Sequence, residues 1–267
     1  MSESSAAAFF DLDKTIIATS STLAMGRSFY AAGMIGRRAV LKGAYARLVY
    51  HLGEVDAGKM DRMRDDLARA VVGWEAAKVH EVIEADLLAL IDPLIYDEAA
   101  ALIESHQAAG RAVVIVSSSG DEVVGPIGEL LGADEVVASR MVVEDGRYTG
   151  EVAFYAFGPH KAEAMREMAA ARGWDLADCY AYTDSATDLP MLEAVGHPHA
   201  VNPDRTLRRA AVERGWTVLA FRHPVPLRER LGKIPTPPRS VTVGIAGAAV
   251  VAAAAGWRAL SHQRRAG

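Results

Sequence analysis

The sequence predicts an α/β protein: a parallel sheet with helices on both faces, a helical insertion after the first strand, and a C-terminal apolar helix. Three observations predict it. From residue 110 onward, short β-branched or aromatic runs alternate with helical periods. Residues of about 17–105, between the first two strands, carry almost wholly helical patterning. A proline-rich stretch, "LGKIPTPPRS", leads into residues 241–257, which hold no charge.

Each element has its own signal. "AAAFF" reads as a short buried strand ending at Asp11. In "RRAVLKGAYARLVYHLG", Leu41, Tyr45, Leu48, Val49 and Leu52 share one helical face. "DAGKMDRMRDDLARAVVG" and "WEAAKVHEVIEADLLALI" are further amphipathic helices, the second stopped by Asp92-Pro93. "RAVVIVSSS" is a continuous apolar run ending in serines, a strand buried on both faces. "RMVVEDGRYTGEVA" is a hairpin turning at Asp145-Gly146. "KAEAMREMAAARG" is a helix closed by Gly173, and "CYAYTDSATD" a strand running into acids. "HAVNP" and "WTVLAF" are late strands around the helix "RTLRRAAVERG". The insertion is then a lid over the strand ends.

Composition narrows the function. The chain has 267 residues, 51% of them hydrophobic, enough for a sizeable core. A net charge of −5 argues against a general nucleic-acid binder. Cys179 is the single cysteine, so neither a disulfide framework nor a thiolate metal cluster is expected. The N-terminus lacks the basic start and apolar core of a signal peptide, which predicts a cytoplasmic catalytic part.

The chemistry-bearing residues fall at strand ends, where open α/β sheets bind ligands. Asp11 and Asp13 follow the first strand, Ser117 and Ser118 the second, Asp184 and Asp188 a later one, and Lys161 starts a helix. Asp11 and Asp13 so close together repel each other, and burial would sharpen that. A cation offsets it, and Mg²⁺, which favours oxygen ligands and shares its shell with waters and phosphate, suits the set. Asp11 is the candidate nucleophile on phosphorus, and Asp13 the acid/base. Ser117 and Lys161 would hold phosphoryl oxygens, Asp184 would be a further metal contact, and Asp188 would hold metal-bound waters.

Four motifs in order, "DLDKT", "VIVSSSG", Lys161 and "YTDSATDLPML", resemble the haloacid dehalogenase-like hydrolase superfamily. The insertion after the first motif is similar to the subgroup that includes the phosphoserine phosphatase-like enzymes. The resemblance covers roughly residues 7–220. It implies a Rossmann-like core, a helical cap, Mg²⁺, phosphate held by Ser117, Ser118 and Lys161, and metal contacts from Asp11, Asp13 and Asp184. It also implies that Asp13 reaches the metal through its backbone carbonyl. Phosphoserine phosphatases carry a glutamate seven residues after the second aspartate, where this chain has Ser20. Their second motif often reads S-G-G, against Ser117-Ser118-Ser119, and their fourth often carries Asn at the position of Thr187. The catalytic set is intact, while the substrate stays unassigned among phosphoserine, another small metabolite and a lysophospholipid-type phosphate.

The expected organisation is a core of residues 1–16 and 106–232, a cap of 17–105, a link of 233–240 and a membrane-spanning helix within 241–260. Seventeen uncharged residues lie near the lower limit for a span, and a helix packed on protein competes with that reading. A spanning helix would tether the enzyme to the inner face of a membrane and favour lipid-derived substrates. Other side chains have plainer readings. Arg37, Arg38, Lys42 and Arg47 are expected on a solvated helix face, with anionic lipid or substrate as the functional alternative. Met60, Met63, Met165 and Met168 read as core, Lys14 as exposed, Thr15 as a hydrogen-bonding group of the first loop, and His160 as a helix-start residue. His197 and His199 read as loop residues without evident partners. Two other classes compete: a receiver domain, disfavoured by the first-strand D-x-D, and a membrane-associated regulatory protein that keeps the fold with slow chemistry.

Overall fold

The computed structural model describes residues 5–36 and 57–226. Its seven-stranded sheet has the order β4-β3-β2-β1-β5-β6-β7. The strands are β1 (Ala7–Phe10), β2 (Ala112–Gly120), β3 (Glu135–Glu144), β4 (Arg147–Phe154), β5 (Tyr180–Thr183), β6 (His197–Val201) and β7 (Thr217–Leu219). All neighbours are parallel except β3 and β4. The chain leaves β1 for β2 and β3 on one side, then crosses back to β5 on the other. That reversal opens a crevice between the carboxyl ends of β1 and β5.

Alternation along β1 explains why both faces are covered. Ala8 and Phe10 point into one core, with Ile83, Leu87, Ile103 and Ile127 of the helices Ala76–Ile91, Asp97–Ala108 and Asp121–Leu131. Ala7 and Phe9 point into the other, with Met165, Met191 and Leu207 of the helices Pro159–Arg172, Leu189–Glu193 and Arg205–Arg214. Phe9 and Phe10 are fully buried, each worth roughly 1.5–3 kcal/mol of transfer free energy. Two rigid layers thus clamp the strand whose tip carries Asp11.

The inserted block leaves and rejoins the sheet as a paired strap. Ala18 donates its N–H to Leu94 O at 2.8 Å, and Tyr96 its own to Ile16 O at 2.9 Å. Between them, Ile17 bridges Ile95 antiparallel. Described helices in this block are Ser21–Ala24, Gly26–Ala31, Ala57–Ala70 and Ala76–Ile91. Asp92 and Pro93 end the last in a short 3-10 turn, as the sequence predicts.

The hairpin also forms where the Asp-Gly pair predicts. Asp145 and Gly146 have φ of 49° and 76°, the double positive φ of a type I′ turn. Its tip engages the chain between the two longer helices of the insertion. Gly73 N–H donates to Tyr148 O at 2.8 Å, Tyr148 N–H to Trp74 O at 3.0 Å, and Ala76 N–H to Gly146 O at 2.9 Å. Arg147 pairs with Glu75. From beneath, the Tyr148 hydroxyl donates to Glu122 at 2.6 Å.

Two sequence expectations are corrected here. His197 and His199 lie on β6 rather than in a loop, and both have ring partners. His197 stacks on Tyr180 at 4.4 Å and His199 on Tyr182 at 4.6 Å, because residues two apart on neighbouring strands share a face. Lys14 is half-buried rather than exposed, at the left-handed turn (φ 63°) that ends the first motif. Met165 is fully buried and Met168 partly so, as expected. The side chains of Met60 and Met63, the basic cluster at 37–47 and the apolar run at 241–257 lie outside the description. Among the described residues no helix is long and apolar enough to cross a membrane.

Candidate active site

Strand register brings the motifs together. Phe10 pairs with Ile115 of β2 and Tyr182 of β5. Asp11, the serines after Val116, and Asp184 therefore emerge at one edge of the sheet. Asp11 still donates its N–H to Tyr182 O at 2.9 Å, which fixes its backbone. Beyond it the chain curls around Leu12: the N–H groups of Thr15, Ile16 and Ile17 all point to Leu12 O, at 3.3, 2.9 and 3.1 Å. Leu12 is itself fully buried, so an apolar residue between two acids anchors the loop that presents them.

Lys161 joins two of the acids. Its ammonium lies 2.7 Å from Asp11 Oδ1 and 2.8 Å from Asp188 Oδ2, and all three side chains are nearly inaccessible. Burial disfavours the ammonium, but Asp11 and Asp188 outweigh it and hold the lysine charged well above its ordinary range. Thr183 donates to Asp188 at 2.8 Å, and Thr15 lies 3.4 Å from Asp11 Oδ2 within the first loop, as expected.

Burial pushes Asp11 up to about 7, against the attraction of Lys161, with Asp188 adding to the rise. Asp184 is raised well above the carboxylate range by burial first, then by the Asp11 charge; Lys14 opposes the shift. Burial also raises Asp13. Its carboxyl accepts Ser21 N–H at 2.8 Å on one oxygen and the Ser119 hydroxyl at 3.0 Å on the other. Ser117 is fully buried, its Oγ accepting Ser119 N–H at 3.2 Å; Ser118 O accepts the Ser139 hydroxyl at 2.8 Å.

The edge thus holds more negative charge than Lys161 balances. Among the described residues no three His, Cys, Asp or Glu side chains form a ready-made metal cage. One reason is local: the Asp13 carboxyl is turned to Ser21 and Ser119. Buried Asp11 and half-buried Asp184, whose carboxyl the Asp11 charge helps to raise, are the donor set for a hard cation that keeps part of its water. The residues present fit Mg²⁺ in that sense.

Sequence reasoning missed several supporting groups. Ser21 and Thr183 are ordinary in sequence and acquire roles only by contact. Asp204 receives the N–H groups of Ala186 and Leu207, at 2.8 and 2.7 Å, and bolts the loop after β5 to the next helix. Its N-cap position before "RTLRRAAVERG" was a readable signal.

Two carboxylates after β1, a lysine bridging to a later acid, and a strapped helical insertion define a hydrolase of the doubly wound α/β class. The model of haloacid dehalogenase-like hydrolases matches residues 8–193, and the chain belongs to that family. It is 59% identical, over 97% of its length and 94% of the relative's, to the inhibition of morphological differentiation protein of Streptomyces azureus. It is 54% identical to a probable phosphatase of Mycobacterium tuberculosis, covering 94% of this chain and 86% of that one. A phosphoserine phosphatase of the same organism is 32% identical over 93% of this chain and 80% of its own. Among solved structures, a Bordetella pertussis protein of unknown function is 28% identical, with a TM-score of 0.70 over 80% of this chain and 97% of its own.

Proposed function

We propose that the protein is a Mg²⁺-dependent phosphomonoester hydrolase that works through a phosphoryl group carried on Asp11. The single observation behind this reading is the buried Asp11–Lys161–Asp188 triplet at the crevice of the sheet. An Asp11 oxygen attacks phosphorus, the ester P–O bond breaks, and its electron pair goes to the leaving oxygen. That oxygen takes a proton from the Asp13 carboxyl and departs as an alcohol. The Asp13 carboxylate then removes a proton from water, whose oxygen attacks phosphorus and frees Asp11 and inorganic phosphate. Lys161 keeps Asp11 oriented and offsets charge on the phosphoryl oxygens, with Ser117 and Ser118 at the same edge as further donors. Asp11, Asp184 and the Asp13 backbone carbonyl would hold Mg²⁺, whose positive charge reduces repulsion between carboxylate and phosphate. Asp188, occupied by Lys161 and Thr183, sets the lysine.

The relatives named phosphatase and phosphoserine phosphatase support this class of reaction. We read residues 17–105 as its cap, since the strap at Ile17 and Ile95 joins the block to the core at two adjacent points. The test is hydrolysis of a panel of phosphomonoesters with Mg²⁺ by the parent and Asp11→Asn proteins. Asp11→Asn should be inactive, and retained turnover would refute the nucleophile.

A second reading rests on the Streptomyces azureus relative, whose name states a cellular effect rather than a substrate. In it the protein is a regulator whose chemistry is slow. Formation of a phosphoryl-Asp11 species without steady turnover would favour it. A tail anchor at 241–257 belongs to either reading and is tested by truncation after residue 238. Activity should persist while the protein moves to the soluble fraction, and identical fractionation would remove the anchor.

A further inference from the structure

We propose that Ser119 and Ser21 are positioning residues that aim the Asp13 carboxyl at the leaving oxygen, an inference that rests on the acid/base role given to Asp13 above. The geometry is a closed ring of contacts. Ser21 donates its N–H to Asp13 Oδ1 at 2.8 Å and its hydroxyl to Ser119 Oγ at 2.9 Å. Ser119 in turn donates its hydroxyl to Asp13 Oδ2 at 3.0 Å. Both carboxyl oxygens are thereby held, and the two rotatable bonds of Asp13 are fixed from opposite sides.

The serines come from distant parts of the fold. Ser21 starts the first helix of the inserted block, and Ser119 stands near the end of β2. Ser21 is fully buried and Ser119 nearly so, at 7%. A buried hydroxyl left without a partner is costly, and the ring gives each serine one. Ser119 is also fixed through its backbone, which donates to Ser117 Oγ at 3.2 Å. The acid is thus tied to the strand end that carries Ser117 and Ser118. Proton transfer is steep in distance and angle, so a freely rotating Asp13 would spend little time aligned.

A structural role alone, pinning the insertion to the core, predicts something different. Departure of an alkoxide requires the Asp13 proton; departure of p-nitrophenolate, a stable anion, does not. The experiment measures kcat/KM with Mg²⁺ for propyl phosphate and p-nitrophenyl phosphate, since that ratio covers steps through leaving-group departure and not later dephosphorylation. Ser119→Ala should lower kcat/KM for propyl phosphate by about tenfold or more, and leave p-nitrophenyl phosphate unchanged. Ser21→Ala should act in the same direction but less, because the Ser21 N–H remains. In an Asp13→Asn background, Ser119→Ala should have no further effect on propyl phosphate. Equal losses on both substrates, no loss on either, or additivity with Asp13→Asn would overturn the proposal. Thermal unfolding checks that each variant folds, and Ser21→Ala carries the test if Ser119→Ala does not. Retained hydrolysis by Asp11→Asn would instead refute the underlying reaction.

Discussion

Lys161 sits where one ammonium serves two carboxyls, and its removal has two separable consequences. Lys161→Met should lower kcat by about 10²–10³, the usual effect of deleting one preorganised charge partner. It should also destabilise the fold by about 3–5 kcal/mol where the buried Asp11 carboxyl, raised to about 7, is ionised. Protonation relieves that charge, so the loss in urea unfolding should be larger at pH 8 than at pH 5. His106 gives a second residue-scale prediction. It is buried between the Tyr182 hydroxyl, at 2.8 Å from its Nε2, and Arg111, whose Nε donates to its Nδ1 at 2.7 Å. Burial, then the Arg111 charge, pushes its imidazole from 6.5 down to about 4. The unfolded chain binds this proton more readily, so His106 contributes stability above pH 6.5 that is lost as pH falls through 4. The contribution is about 3 kcal/mol at most. His106→Gln should flatten the stability profile between pH 6.5 and 4, and an unchanged slope would show that another group titrates there.

Among the elements, the β3–β4 hairpin does more than extend the sheet. Its tip adds main-chain hydrogen bonds to the insertion, its Tyr148 reaches Glu122, and its exit leads through Gly158 to Lys161. The turn works because Gly146 tolerates a positive φ that side-chain-bearing residues resist. Gly146→Val should cost about 1–2 kcal/mol in urea unfolding. It should also speed proteolysis within residues 57–76, where the insertion leans on the tip. Unaltered protection there would mean that the hairpin contacts are incidental.

Across the whole molecule, the acids at the crevice link protons to stability, and under the proposed function they would link both to a metal. Burial raises Asp11 to about 7, so its metal-free carboxyl favours folding below the unfolded value near 4. That contribution is lost as pH rises through 7, and Asp184 and Asp13 shift in the same direction. A bound cation would reverse the balance, since it would take the ionised carboxyls and displace protons. Saturating Mg²⁺ should therefore raise the melting temperature more at pH 8 than at pH 5. Asp184→Asn should shrink the pH 8 shift, and equal shifts at both pH values would count against these acids as the metal site.

The sequence by itself determined the alternation of elements, because periods of two and 3.6 residues and the Asp-Gly and Gly173 punctuation are local. It also determined the acids at strand ends, since polar residues directly after a buried apolar run have one edge of the sheet to occupy. Tertiary structure alone decided which groups touch. Ser21 and Ser119 are 98 positions apart and carry no shared pattern, yet their hydroxyls meet. His197 and His199 look like loop residues until β6 pairs with β5 and offers them Tyr180 and Tyr182. Lys14 reads as a solvated lysine until the left-handed turn that ends the first motif half-buries it. The physical reason is common to all three: a hydrogen bond, a ring stack or the burial of a side chain depends on where the backbone brings distant residues, and no local preference encodes that.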